Sequence, residues 1–345
     1  MQQLRIGIVG AGENTRLRHI PGLQKISGVK ISGVVNRTAE SSQRVAQEFG
    51  IPKTYDSWKQ LVDDPDIDAV VIGTWPNLHC DVTCAALEAG KHVLTEARMA
   101  RNVTEANKML AASKAHPELV AQIVPSPYGL SFLGPIRQMI DDGWFGDLRE
   151  MVVIGADASA WDYSAKIHWR LDAELSGLNA LTLGILHETA SRWVPATTRV
   201  FAQAKTFEPE RPGREPGVYE PIHVPDSIQI VTELEGGARG MYHISGTILH
   251  GPGQQLHLYG SHGTVKIHFT PTERAWIGRH GDAELREYKP NADRLGRWQV
   301  EEDFVASIRD GQPVRLTDFA TGLQYMKFTE AVATSAAKAE PVTLN

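Results

Sequence analysis

Arg5-Ile6-Gly7-Ile8-Val9-Gly10-Ala11-Gly12 is the stretch whose reading decides the fold. A short apolar run ends in two glycines one residue apart, and a helical pattern follows from Leu17 to Ile26. Outward from it the grammar repeats. Val29 to Val35 is the next apolar run, and Glu40 to Phe49 predicts a helix stopped by Gly50, with Val45 and Phe49 four apart on one face. Tyr55 to Leu61 predicts a short helix, Ala69 to Gly73 a buried strand, His79 to Ala89 a helix capped by Gly90, and His92 to Thr95 a strand. Val103 to Lys114 predicts a further helix and Val120 to Val124 a further strand. Strands apolar on both faces, alternating strictly with helices, require a parallel sheet covered on both sides. The fold class is α/β, with an N-terminal doubly wound parallel sheet.

Pro125 and Pro127 change the pattern, because each disfavours helix in the residue before it. The boundary is set there, giving domains 1–124 and 125–345. Leu133 to Asp142 predicts a helix ended by Gly143, Leu148 to Ile154 a strand, and Leu178 to Trp193 a helix apolar on most sides. Ser227 to Leu234, Ala238 to Ile244, Gln255 to Tyr259 and Thr264 to Phe269 alternate with period two between glycine-bearing turns. Four such runs predict a largely antiparallel meander whose open face is free to meet a partner. Pro209 to Pro221 reads as a surface loop, and helices close the chain near Arg297 to Arg309 and Phe319 to Ala337.

The length of 345 residues suits two domains at ~150 residues each. Lys and Arg number 35 against 41 Asp and Glu, a net charge of −6, so nothing calls for nucleic acid or an anionic membrane as partner. Cys80 and Cys84 lack the CxxC spacing of redox or zinc motifs and read as thiols in a reducing compartment. No run of ~18 apolar residues and no leader pattern occurs, so the expectation is a cytoplasmic protein. His243, His250, His257, His262 and His268 lie in separate runs and turns without HxxxH or HExxH spacing, and no metal is expected. A covalent nucleophile is not expected either, since there is no GxSxG elbow.

Gly10-x-Gly12 between a strand and a helix is the context a dinucleotide needs: the first glycine permits the tight turn, the second lets backbone approach a pyrophosphate. Thr15 stands where a third glycine would, and Glu13 and Asn14 complete the turn as candidate cofactor contacts. Asn36, 24 positions past Gly12, falls where an acidic residue would hold the adenosine ribose, and Arg37 follows it. Asn36 does not repel a 2′-phosphate and Arg37 can pair with one, which favours NADP slightly and leaves NAD open.

Thr74-Trp75-Pro76-Asn77-Leu78-His79 and then Ala85-Ala86-Leu87-Glu88-Ala89-Gly90-Lys91-His92-Val93-Leu94-Thr95-Glu96 resemble the family of glucose-fructose oxidoreductase, inositol dehydrogenase and MocA-type proteins. There a Pro-Asn turn and Gly-Lys-His-Val-Leu lead into a Glu-Lys-Pro signature. Phe304 to Gly311, Glu330 to Leu344 and Gly260 to Val265 extend the likeness along the chain. The resemblance implies a Rossmann domain plus an open-faced α/β domain, bound NAD or NADP, and hydride exchange with a sugar, polyol or related carbinol. It also implies a homodimer or homotetramer built through the open sheet, and places Thr74, Trp75, Asn77, His79 and Glu96 along the cofactor.

The catalytic positions depart from the family. Its lysine, which hydrogen-bonds the reacting hydroxyl beside the nicotinamide, is Ala97 here, and its proline is Arg98. A methyl group neither donates nor accepts a proton. In the second domain Thr182 stands at the family's aspartate and Leu186 at its histidine, with His187 one place on, a rotation of about 100° on a helix. One reading is a rebuilt relay: Arg98 fixes the substrate oxygen, His187, oriented by Glu188, handles the proton, and a buried Lys166 of lowered pKa substitutes for the missing lysine. The other is a protein that keeps the nucleotide but acts as a lyase or glycosidase-like enzyme on oxidised sugars, or only binds. Trp161 to Arg170 gathers aromatics and ionisable groups suited to a sugar, so Trp161, His168 and Trp169 join Tyr128 as candidate substrate contacts.

Overall fold

The computed structural model describes residues 3–213 and 215–344. The chain forms two units. One comprises the residues up to Pro125 together with Gln299–Met326; the other comprises Ser126–Trp298 and the chain from Lys327 onward.

The first unit contains a five-stranded sheet of β1 (Leu4–Val9), β2 (Val29–Val35), β3 (Ala69–Ile72), β4 (His92–Thr95) and β5 (Ala121–Ile123). Its order is β2-β1-β3-β4-β5 and every neighbouring pair is parallel. All four residues of β3 are buried, as expected of a strand covered on both faces. The helices are α1 (Ile20–Gln24), α2 (Ala39–Phe49), α3 (Trp58–Val62), α4 (Pro76–Glu88) and α5 (Val103–Ala115). Local chemistry sets their ends. Thr38, Ser57 and Asn102 accept the N-terminal amides of α2, α3 and α5 through their side chains, and Gly50 closes α2 in the left-handed region. The single helix expected from Leu17 to Ile26 is instead a π-helical turn, Thr15–His19, running into α1. Pro21 sits in the first turn of α1, where its missing amide costs no helical bond.

The second unit holds α6 (Leu133–Asp141), β6 (Leu148–Ala156), α7 (Ala173–Ser176) and α8 (Leu183–Ser191), then β7 (Thr197–Lys205), β8 (Glu210–Pro212), β9 (Tyr219–Pro221), β10 (Ser227–Leu234) and β11 (Arg239–Ser245). It continues through β12 (Gly253–Gly260), β13 (Gly263–His268), β14 (Arg274–Arg279), β15 (Arg286–Tyr288) and β16 (Val342–Thr343). Nine strands form one sheet in the order β15-β14-β13-β12-β6-β11-β10-β7-β16, parallel only between β6 and β11. This corrects the simple meander: β11 and β12 are not neighbours, because β6 lies between them. The seven-residue connection from Gly246 to Pro252 is long enough to step over one strand at roughly 5 Å spacing. The proline-rich stretch Pro209–Pro221 is also more than a loop, since β8 and β9 pair as a hairpin within it. The sheet's inner face joins Phe132, Ile136, Leu186, Trp193, Tyr242 and Phe328 in one core.

Two helices follow, α9 (Val300–Asp310) and α10 (Phe319–Lys338), the latter belonging to the first unit as far as Met326. Phe319, Leu323 and Tyr325 share a core with Val93, Met99 and Ile123, and Ile123 N donates to Thr317 O at 2.9 Å. The boundary expected at 124/125 assigned all later residues to the second domain, whereas this returning segment packs with the first. Its amphipathic pattern says that it covers a sheet, not which one. No helix among the described residues is long and apolar enough to cross a membrane.

Candidate active site

The carboxyl ends of β1, β3 and β4 bring together the Gly10 turn, the Gly73–His79 segment and the Glu96–Ala100 loop. With β2 and β3 on opposite sides of β1, this edge is a topological switch point, the place where doubly wound sheets bind ligands. Gly10 has φ +82°, a left-handed conformation, and a Cβ there would lie 2.6 Å from Thr74 Cγ2. A Cβ on Gly73 would lie 2.0 Å from Thr15 Oγ1 and 2.3 Å from Gly10 O. Thr15, 1% exposed, donates to Gly10 O at 3.4 Å. Its hydroxyl thus braces the turn from inside and is not presented to a phosphate. Glu13 is exposed and Asn14 half-buried.

Asn36 is committed as well. Its Oδ1 accepts from Ala11 N at 2.7 Å and its Nδ2 donates to Ser41 Oγ at 3.0 Å, so it ties the glycine turn to the exit of β2. Arg37 holds its guanidinium 5.4 Å from the centre of the Trp75 ring. Asn77 Oδ1 is buried with no hydrogen-bond partner among the described residues, a polar atom left for a ligand. The glycine cradle and this orphaned atom fit a dinucleotide.

His79 is wholly buried, with Nδ1 2.9 Å from Arg98 O and Nε2 3.0 Å from Thr74 O. Burial pushes its pKa below the ordinary range against the two carbonyls. A neutral ring donates to one of them at a time. His79 is therefore a strut between the β3 and β4 exits rather than a group facing the cofactor. Arg98 is only 6% exposed, and the Ala97–Arg98 peptide is cis. Met99 N donates to Tyr325 Oη at 2.5 Å.

Glu96 belongs to a network that sequence reading missed. Its Oε1 accepts from Asn14 Nδ2 at 2.5 Å and lies 3.0 Å from His19 Nε2, while His19 Nδ1 lies 2.5 Å from Glu301 Oε1. His19 is fully buried, and Glu301 is 2% exposed. Burial opposes a charge on His19, but hydrogen bonds to Glu301 and Glu96 outweigh it and raise the pKa to about 9. In return, Glu96 is held below the usual carboxylate range against its own burial, chiefly by His19. His19 lies in the first helical turns and Glu301 lies 282 residues away, a separation no local pattern bridges.

In the second unit the expected relay is not assembled as drawn. His187 is 7% exposed, stacked on Phe328 at 3.5 Å, with Nδ1 2.8 Å from Tyr242 Oη. Burial alone drives its pKa down to about 3, so the ring is neutral at pH 7. Glu188 does not orient it: Glu188 Oε1 pairs with Arg192 at 2.9 Å and Oε2 accepts from Ser126 N at 2.7 Å. That follows from helix geometry, which places i and i+4 together and turns adjacent residues apart.

Lys166 is exposed, so the burial expected of it is absent. Trp161 and His168 are exposed as well, and His168 Nδ1 accepts from Arg170 N at 3.3 Å. Trp169 packs at a tilt against His168, ring centres 5.5 Å apart, and lies under Arg170 at 4.3 Å. The organiser of this segment is Arg211, another residue sequence reading passed over: 4% exposed, it donates to Asp162 O at 2.7 Å and Ala160 O at 2.5 Å. Tyr128 is half-buried, stacked on Phe269 at 5.4 Å. Among the described residues no three His, Cys, Asp or Glu side chains gather as a metal site.

Two family models match the chain. One described as "Oxidoreductase family, NAD-binding Rossmann fold" covers residues 4–122, and one described as "GFO/IDH/MocA C-terminal domain" covers residues 135–266. The levoglucosan dehydrogenase of Pseudarthrobacter phenanthrenivorans is 24% identical over 98% of this chain and 97% of its own. The myo-inositol 2-dehydrogenase of Thermotoga maritima is 21% identical over 90% of both chains. Among solved structures, a levoglucosan dehydrogenase in complex with NADH and L-sorbose superimposes with a TM-score of 0.89 at 23% identity, over 100% of both chains. That likeness bears out the α/β class with a parallel first sheet and a mostly antiparallel second one.

Proposed function

The chain belongs to the GFO/IDH/MocA oxidoreductase family, and from that premise we propose that it is a nicotinamide-dinucleotide-dependent dehydrogenase or reductase acting on a polyhydroxylated ring or chain. The observation that carries the reading is the turn after β1: a left-handed Gly10 packed on Thr74, with Gly73 and Thr15 interlocked beneath it. Backbone amides from Gly12 to Thr15 would hold the diphosphate at the positive end of the first helical turns, those of Gly10 and Ala11 being spent on Val35 O and Asn36 Oδ1. Trp75 and Arg37 would border the adenosine half, and Asn77 would offer its unpartnered oxygen. When bound, the dinucleotide accepts or supplies the hydride. The family description supports NAD(H). Arg37, with no acidic residue beside it, is the group that would admit NADP(H) by pairing with its 2′-phosphate.

Ala97 cannot move a proton, so the substrate oxygen depends on other groups. Arg98 remains protonated at any working pH and would stabilise negative charge on that oxygen rather than abstract its proton. His187, neutral and stacked, is suited to orienting a hydroxyl, not to acting as a base near pH 7. The substrates in the relatives' names, levoglucosan and myo-inositol, support a sugar or polyol. Incubation with NAD or NADP and a panel of sugars and polyols, read at the absorbance of reduced nicotinamide, tests the proposal. Cofactor binding with no reduction by any member of the panel would favour the lyase or binding-protein reading.

The outer sheet face supports a self-associating protein, a homodimer or homotetramer. Phe201, Val231, Met241 and Val152 lie in one cross-strand row on β7, β10, β11 and β6, and the first three are exposed by 37%, 55% and 50%. Arg199, Glu233, Arg239 and Glu150 form an adjacent row of alternating charge. A second copy related by a two-fold axis can present the complementary rows. The free thiols of Cys80 and Cys84 suit a reducing, cytoplasmic setting.

A further inference from the structure

His19 joins three segments distant in sequence: the first helical turns, the loop after β4 and the start of α9. Glu301 reaches it through a gap that only glycine leaves open, since a Cβ on Gly22 would lie 2.9 Å from Glu301 Cγ. On the other side Glu96 spends one oxygen on Asn14 and His19, and its second oxygen accepts from Ala97 N at 3.3 Å. The Glu96–Arg98 loop is held by its backbone, at Glu96 N to Ile72 O and Arg98 O to His79, and the Glu96 carboxylate ties it through one oxygen to His19, while Ala97 has no side chain to add an anchor. The loop's place along the cofactor follows from topology. A diphosphate on the β1 turn puts the adenosine half over β2, beside Arg37, and the other half over β3 and β4.

Resting on the cofactor reading above, we propose that His19 is a positioning residue of the nicotinamide site: held by Glu301 behind and Glu96 ahead, it fixes the Glu96–Arg98 loop, and α9 is thereby part of that site. His19 touches neither cofactor nor substrate in this scheme and acts only through Glu96. A purely structural histidine would support the whole unit, and its loss would weaken every ligand alike. A positioning histidine discriminates, because the adenosine half never meets the β4 loop.

The test compares NADH with ADP-ribose, which lacks the nicotinamide, by calorimetry on the full chain and on H19Q and E301Q, with circular dichroism to confirm folding. The expected result is ADP-ribose affinity within about twofold of wild type in both variants. NADH affinity falls about tenfold in H19Q, the loss of one charge-assisted bond, and falls less in E301Q, where the His19–Glu96 contact survives. Should H19Q not fold, E301Q alone decides by the same ratio. Equal weakening of both ligands, or no weakening of NADH, overturns the proposal. A wild-type chain that binds ADP-ribose and NADH equally well also overturns it while sparing the diphosphate cradle, whereas binding neither refutes the cofactor reading itself.

Discussion

Replacing Gly73 by alanine probes the cofactor cradle from beneath, without touching a surface the dinucleotide would meet. The new methyl carbon would lie 2.3 Å from Gly10 O and 2.0 Å from Thr15 Oγ1, where ordinary contact begins at 3.4 Å. Thr15 is 1% exposed and has little room to turn away. The exits of β1 and β3 must therefore part by about 1 Å, an overpacking that costs roughly 1–3 kcal/mol. At ~2–4 °C per kcal/mol for a unit of this size, thermal unfolding should fall by about 2–12 °C. The same movement shifts the Gly12 amide, and loss of one hydrogen bond to a charged diphosphate, at ~1.5–3 kcal/mol, weakens the cofactor by roughly tenfold to a hundredfold. Gly50→Ala is the control. It also has positive φ, +66°, but a Cβ there meets nothing within 4 Å, so it should lose about 1 kcal/mol to strain and keep its affinity. The assays are thermal unfolding by circular dichroism and NADH titration by calorimetry. Unchanged stability and affinity in Gly73→Ala would refute the interlocked turn as the carrier of the site.

Other expectations follow from the same geometry. His19 binds its proton more tightly folded, at about 9, than unfolded, near 6.5, facing Glu96, Glu301 and Asn14. Its contribution, about 3 kcal/mol at most, is complete below pH 6.5 and lost as pH rises through 9; wild type should therefore lose stability between pH 7 and 10 more steeply than H19Q, and parallel curves would contradict this. Arg98→Ala should lower turnover by about a hundredfold, since it removes charge stabilisation at the substrate oxygen; steady-state kinetics on protein shown by circular dichroism to be folded decide. Lys166→Ala should leave turnover within about twofold, because an exposed lysine keeps its solvent, and a large loss in the same assay would restore it to the relay. Met241→Lys should shift the chain toward monomer in size-exclusion chromatography by placing charge in the centre of the exposed row; an unchanged elution volume would remove this face as the interface.

Much of the site's scaffold was legible in sequence because its determinants are local. Gly10 and Gly12 announce a strand-to-helix turn, Gly50 announces a helix end, and period-two alternation marks the strands in Ser227–Leu234 and Ala238–Ile244. The errors share a cause. Lys166 and His187 were placed by proximity along the chain, yet burial depends on what other segments cover them: nothing covers Lys166, while Phe328 and Tyr242 enclose His187. Asn36 and His79 lie at the carboxyl edge of the first sheet, where hydrogen bonds to Ala11, Arg98 and Thr74 make them braces, a role that no local pattern shows.

By itself the sequence determined the two kinds of sheet, the glycine turn and the absence of a lysine at position 97, since each follows from residue type and short-range period. The tertiary structure alone decided that β6 would separate β11 from β12, that residues 299–326 would return to the first unit, and that His19 would be charged between Glu96 and Glu301. A histidine's charge depends on the field around it, and this field comes from carboxylates 77 and 282 residues away, which only the folded chain brings within hydrogen-bonding reach.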